Sequence, residues 1–525
     1  MIRQIWTFAI AAVALAAVSL VYAAEPSVIA TDAGQLSGVT DSLGVTSYKG
    51  IPFGAPPVGK LRWQAPQPAE HWTGVRKADH FGNACFQNEA HSRLPWTEPF
   101  MEQGSVSEDC LYLNVWTAAK SPNERRPVMV YMYGGGFNEG AGSVAVYDGT
   151  HLAKRGVVVV NMNYRVGPLG FLAYPELSKE SEHGVSGNYG LLDQIAALQW
   201  VHKNIAAFGG DPNRVTIFGQ SAGAISVYDL MQSPLAKSLF VRAIAESGPG
   251  LIGGRGAQPT LTDREQAGVR WAEAKGAHSL AELRALSPEE IFKSMGRGGP
   301  PSPNQPVADG WVLPAPGASA PQNEVPILLG MVADDIGVSA GNAAQKPTVA
   351  SYEEAAKNKY GDKADEFLKL YPVKSDDDVA AMMKVAARDQ ARVSIDVWSA
   401  SQAKLSGKVY TYFFDRVLPW PEHPEFGAFH TSDVPYVFEN LDLSGHPVEA
   451  VDHKVSDAVS SYWMNFAAKG DPNGKSLAHW PAYSPQVHKT MELGEKMGAM
   501  PEAATPQRLA FQIAYLEQRQ QSPGR

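Results

Sequence analysis

The chain has 525 residues, 44% of them hydrophobic and 19% charged, with a formal net charge of −9. Such a composition fits a large packed core and excludes a disordered chain. The acidity is mild and no basic tract offsets it, which argues against nucleic acid as a partner.

Met1-Ile2-Arg3-Gln4 precedes an apolar run from Ile5 to Val21. Val21-Tyr22-Ala23 puts small residues at both positions a signal peptidase inspects, and Ala24-Glu25-Pro26 follows. The pattern predicts a secretory signal peptide over 1–23. The competing reading is an uncleaved anchor helix, since the run approaches membrane-spanning length. No later segment has a comparable apolar run, so no stable membrane insertion is expected after cleavage. The mature chain, 24–525, is expected to be exported, to the periplasm or beyond the cell. It exceeds the usual domain size, but large α/β enzymes grow by loop insertion on one sheet. A single domain is therefore expected.

Two cysteines occur, Cys85 and Cys110. In an exported chain they most simply form one disulfide. Closing that loop stabilises by about 3 kcal/mol on the chain-entropy model. No Cys/His spacing suggests a metal site.

Short strands alternate with helices along the chain, which predicts a large, mostly parallel sheet with helices on both faces. Pro127 to Tyr133 reads as a buried strand ending in glycines, and Val157 to Asn161 as another. Leu191 to Ile205 reads as an amphipathic helix, with Asp193 in its first turn and Gly209-Gly210 beyond its end. Asp211-Pro212-Asn213-Arg214 reads as a turn. Val215 to Phe218 is a strand, and Ala224 to Met231 can start a helix. Between Gly250 and Gly310 the pattern is helical with Gly/Pro breaks, as where Ser287-Pro288-Glu289-Glu290 caps a helix. Val325 to Gly330 and Val409 to Phe414 are later strands.

Gly219-Gln220-Ser221-Ala222-Gly223 matches G-x-S-x-G, the nucleophile elbow of serine hydrolases. The strand before it and the helix behind it give the pattern its meaning. The turn lifts the serine hydroxyl above the sheet, beside a helix N-terminus that favours negative charge. Gly337-Val338-Ser339-Ala340-Gly341 fits the same pattern. It follows Asp334-Asp335-Ile336 rather than an apolar strand, and Pro347 stops any long helix behind it, so Ser339 reads as a loop serine.

A serine hydroxyl needs a base, an orienter for that base, and donors for an oxyanion. Tyr133-Gly134-Gly135-Gly136-Phe137 lies after a strand and upstream of the elbow, where an oxyanion loop belongs. The acid belongs on a loop after a later strand, where Asp334 and Asp335 both stand; either can orient the histidine. His430 follows a strand and precedes an apolar aromatic segment, as the base requires. His423 and His446, each beside a proline, read as exposed loop residues.

The ordered motifs resemble the type-B carboxylesterases, which share their fold with cholinesterases and bile-salt-activated lipases. The resemblance rests on Tyr48 to Pro57, Glu108 to Trp116, Asn163-Tyr164-Arg165, Gly187 to Gln194, Phe208 to Pro212 and Trp463 to Ala467. It implies an α/β-hydrolase fold and a serine esterase acting on small-molecule esters through an acyl-enzyme, with no cofactor. The rival readings are a lipase or an esterase specialised for bulky natural esters, and a non-catalytic adhesion or binding protein of this fold. By motif it implies Ser221 as nucleophile, His430 as base and Asp335, in place of a frequent Glu, as acid. It implies Gly135, Gly136 and Ala222 as oxyanion donors, and a bridge between Cys85 and Cys110. Gln220 stands where the family often has Glu. Losing that carboxylate weakens the case for a cationic, choline-type alcohol.

Overall fold

The structure is a computed structural model that describes residues 28–88, 93–248, 259–296, 299–315, 323–335 and 347–521. The stretch read as a signal peptide and the second serine motif, 337–341, lie outside these residues. An 11-stranded sheet dominates. Its strands, numbered here in chain order, are β1 (Val39–Thr40), β2 (Thr46–Pro52), β3 (Tyr112–Thr117), β4 (Arg126–Met132), β5 (Val158–Met162), β6 (Gly210–Gln220), β7 (Arg242–Glu246), β8 (Ile327–Val332), β9 (Val409–Phe414), β10 (Lys489–Leu493) and β11 (Met497–Pro501). Across the sheet the order is β11-β10-β9-β8-β7-β6-β4-β5-β3-β2-β1. Strands β4 to β10 all run parallel, and antiparallel strands extend both edges. The central strands are rich in apolar residues, as strands covered on both faces tend to be. Every residue of β5, β8 and β9 is buried.

The principal helices are α1 (Tyr189–Asn204), α2 (Ala222–Gln232), α3 (Val349–Tyr360), α4 (Ala364–Leu370), α5 (Asp376–Ser406), α6 (Ala450–Lys469) and α7 (Pro506–Gln521). Helices α1 and α2 pack together, with Gln194 Nε2 donating to Ser226 Oγ at 2.9 Å. Helix α6 covers the same central strands as α2 but keeps other company: Arg155 Nη1 donates to its Ser460 Oγ at 2.5 Å. Helices α3, α4, α5 and α7 enclose a second apolar cluster of Tyr352, Tyr360, Phe367, Tyr371, Phe511 and Tyr515.

Two local expectations change. Asp193 is not a first-turn charge, because the helix starts at Tyr189. It is fully buried and receives Arg165 through Nε at 2.8 Å and Nη2 at 2.7 Å. Asp211 to Arg214 is not a turn between elements but an irregular stretch inside β6, where the register with β4 shifts between Gly210 and Val215. Asp211 still accepts from Asn213 N–H at 3.0 Å, so the local turn chemistry persists within an extended chain. Cys85 and Cys110 are bridged.

Glu502 follows β11 and is 1% exposed. Burial, with the Asp396 charge adding, raises its carboxyl from an ordinary 4.5 to about 8; Arg392 and Thr411 pull the other way. The fold thus holds a proton that the unfolded chain releases. The associated stabilisation is complete below pH 4.5 and is lost as pH rises through about 8. Thermal midpoints measured across this window should fall with rising pH, and Glu502→Gln should flatten that slope. An unchanged slope in the variant would place the titration elsewhere.

Candidate active site

Strand β6 delivers Ser221 onto α2 through a strained residue: Ser221 has φ 58° and ψ −121°. A non-glycine residue there is held by its surroundings. The glycines on either side explain how. A Cβ on Gly223 would lie 1.9 Å from Met132 O, and one on Gly219 would lie 2.7 Å from the same oxygen. Only hydrogen at both positions lets the elbow settle onto the end of β4. Ser221 N–H donates to Glu246 O at 2.9 Å, which ties the elbow to β7 as well.

The end of β4 continues into Gly134-Gly135-Gly136. Gly135 and Gly136 have φ of +101° and +62°. Among the described residues, no hydrogen bond is drawn from the N–H of Gly135, Gly136 or Ala222. Gln87 braces this segment: its Oε1 accepts from Gly140 N–H at 2.8 Å, and its Nε2 donates to Cys85 O at 3.0 Å.

His430 and Asp335 are 5% and 4% exposed, and His430 Nδ1 lies 2.5 Å from Asp335 Oδ1. A carboxylate only accepts, so Nδ1 carries the proton and Nε2 holds a lone pair. The other ring nitrogen faces Gln220, whose Nε2 is 3.1 Å away. The amide therefore donates to the ring. No hydrogen bond between Ser221 Oγ and His430 occurs among the described residues, although both line one cavity. Asp334, the alternative acid, turns away from the histidine and receives Arg388 Nη2 at 2.6 Å. His423 is half-buried beside Glu425, whereas His446 is not the exposed loop residue its proline neighbour suggests. It is buried against Trp420, ring centroids 4.4 Å apart, and does not line the cavity.

Two further carboxyls lie behind the pair. Asp433 is buried and accepts from Tyr412 OH at 2.9 Å. Burial pushes it up to about 6, and the Asp335 charge adds to the shift. Glu246 is fully buried and accepts from Trp463 Nε1 at 2.6 Å. Burial, then the Asp433 charge, push it well above the usual carboxylate range. Sequence reasoning passed over both, and over the Gln220 contact with the ring. Asp433 stands three residues after His430, but spacing alone does not mark it as buried.

The cavity has a volume of about 890 Å³. Trp96, Phe100, Met101, Tyr147, Ile291, Phe292, Met295 and Pro300 are among the residues that line it. Polar side chains of Gln87, Asn138 and Glu139 also reach it. Trp96 belongs to the loop that the disulfide closes, and its Nε1 donates to His430 O and Thr431 Oγ1, each at 3.2 Å. The cavity wall is thereby fastened to the histidine loop. Among the described residues, no group of three or more His, Cys, Asp or Glu is placed to hold a metal ion.

A family model described as the carboxylesterase family matches residues 25–512. The chain is 38% identical over 523 residues to a fumonisin B1 esterase of Sphingopyxis macrogoltabida, covering 94% of this chain and 91% of that one. It is 34% identical over 510 residues to a para-nitrobenzyl esterase of Bacillus subtilis (90% and 95%). It is 33% identical over 515 residues to a cholinesterase of Mus musculus (89% and 83%).

Gly223→Ala should force the elbow off Met132 O, since the new methyl lies 1.9 Å from that oxygen. Phosphonylation of Ser221 by an organophosphonate should slow by more than about 100-fold while circular dichroism stays native. Labelling at the native rate would mean that the close approach is not needed.

Proposed function

Because the chain belongs to the carboxylesterase family, with its α/β-hydrolase fold, and is a carboxylic ester hydrolase, we propose that it acts as a serine esterase through an acyl-enzyme. The observation that carries this reading is the 2.5 Å contact of His430 Nδ1 with Asp335, at a cavity that Ser221 and Gly134 to Gly136 also line. Substrate entry exchanges the Gln220 amide for the Ser221 hydroxyl at His430 Nε2; catalytic hydrogen bonds commonly tighten only once substrate is bound. Ser221 Oγ then attacks the ester carbonyl as Nε2 takes its proton. Asp335 holds the tautomer and stabilises the imidazolium. The N–H groups of Gly135, Gly136 and Ala222 hold the oxyanion. The alcohol departs with the proton from His430, and water, activated by the same base, hydrolyses the acyl-serine.

Substrates are small-molecule esters. Within that class, a bulky natural ester fits better than a short simple one. The cavity lies near the top of the roughly 300–1,000 Å³ range of small-molecule sites. One relative is named for a fumonisin ester, which points the same way. The N-terminal pattern supports export with cleavage after Ala23, and the match of one family model to 25–512 supports a single domain over 24–525. The disulfide fits an oxidising compartment.

Ser221→Ala should abolish organophosphonate labelling and lower kcat by several powers of ten. Asp335→Asn should lower kcat by roughly 10⁴-fold, because an amide favours the wrong imidazole tautomer. Unimpaired turnover by either variant would overturn that residue's role. With Gln220 in place of a carboxylate, a choline ester should show less than about a tenfold advantage in kcat/KM over a neutral ester of similar size and the same acyl group. A larger preference would mean that another feature of the cavity holds the cation.

A further inference from the structure

Asp334, the other candidate acid in the sequence, is 4% exposed and sits at a junction of three elements. Its Oδ1 accepts from Arg388 Nη2 at 2.6 Å and is paired with Lys384 Nζ, both from α5. Its Oδ2 accepts from Ala428 N–H at 2.9 Å. Its own N–H donates to Ala428 O at 2.9 Å. Arg388 Nε adds a bond to Ala333 O at 2.7 Å, so one guanidinium grips both the strand end and the carboxylate. The histidine loop is moulded to this group: Gly427 has φ +59°, and a Cβ there would lie 2.0 Å from Asp334 Oδ2.

The register gives the junction its meaning. Asp334 and Phe429 form a parallel bridge. The next residue on one side is Asp335, and the next on the other is His430. Fixing Asp334 against Ala428 and Phe429 therefore fixes the two partners of the 2.5 Å contact opposite each other. The charge matters as well as the shape. An amide at 334 can still accept from Ala428 N–H, but it leaves Arg388 and Lys384 without their anion. The next carboxylate along the chain is Asp335, which must stay on the imidazole.

We propose that Asp334, compensated by Arg388 and Lys384 of α5, is a positioning residue that sets the reach of Asp335 to His430. This rests on the reading of Asp335 and His430 as acid and base. It couples the long helix to the chemistry without any contact to substrate.

The test uses the full chain and reads kcat per active site, with sites counted by organophosphonate titration of Ser221. Asp334→Asn should lower kcat about 100-fold while KM stays within about twofold. Arg388→Met should lower kcat in the same way, and the double variant should be no worse than Asp334→Asn alone, because both act through one contact. A merely structural role would lower the thermal midpoint and the number of titratable sites, and leave kcat per site unchanged. Should Asp334→Asn fail to fold, Arg388→Met and Lys384→Met carry the test, since both keep the Ala428 bond. Turnover per site within twofold of the wild type in the variants that fold overturns the positioning role. Failure of the organophosphonate to label Ser221 in the wild type overturns instead the serine reading on which it rests.

Discussion

Helix α2 starts against the carbonyls of Met132 and Tyr133, closer than any side chain at Gly223 would permit. That approach sets the distance between the serine and the Gly134 to Gly136 segment, because the segment is the direct continuation of β4. The strain at Ser221 is its local expression. An unfavourable backbone conformation persists only where neighbours over-determine it. Here they do so from two sides, with β4 beneath the elbow and the Glu246 carbonyl on the elbow's own N–H.

The electrostatics follow a similar division of roles. Four carboxyl groups lie close to the histidine, and their surroundings separate them. Asp335 meets the imidazole, and Asp334 meets two cations and a backbone N–H. Asp433 and Glu246 make no ion pair with Lys or Arg among the described residues, and accept from a phenol and an indole. Burial disfavours the charged forms of Asp433 and Glu246. A sheet that carried four charged carboxylates at this point would be hard to hold together.

The strands and their order of chemistry were legible because each depends on local signals. Val409 to Phe414 reads as a strand from its β-branched and aromatic run, and is one to the residue. The serine, the glycines around it and the later histidine follow from motif and order. What stayed illegible depends on contacts across the chain. Asp193 looks like a helix-start charge until Arg165 is seen to reach it from 28 positions away. His446 looks exposed until Trp420 and Phe100 are placed over it. Gln220 reads as a lost charge, and its amide is found on the imidazole instead. In each case the partner lies on another element, and a single sequence carries no record of the pairing.

The loop between Cys85 and Cys110 does more than shorten the unfolded chain. It carries Trp96 to the histidine loop and Gln87 to the glycine segment, so both halves of the site lean on one covalent closure. Reduction would remove that covalent closure and leave Trp96 and Gln87 held to the site by their hydrogen bonds alone. The redox state of the surroundings thus bears on the wall of the cavity as well as on the stability of the fold.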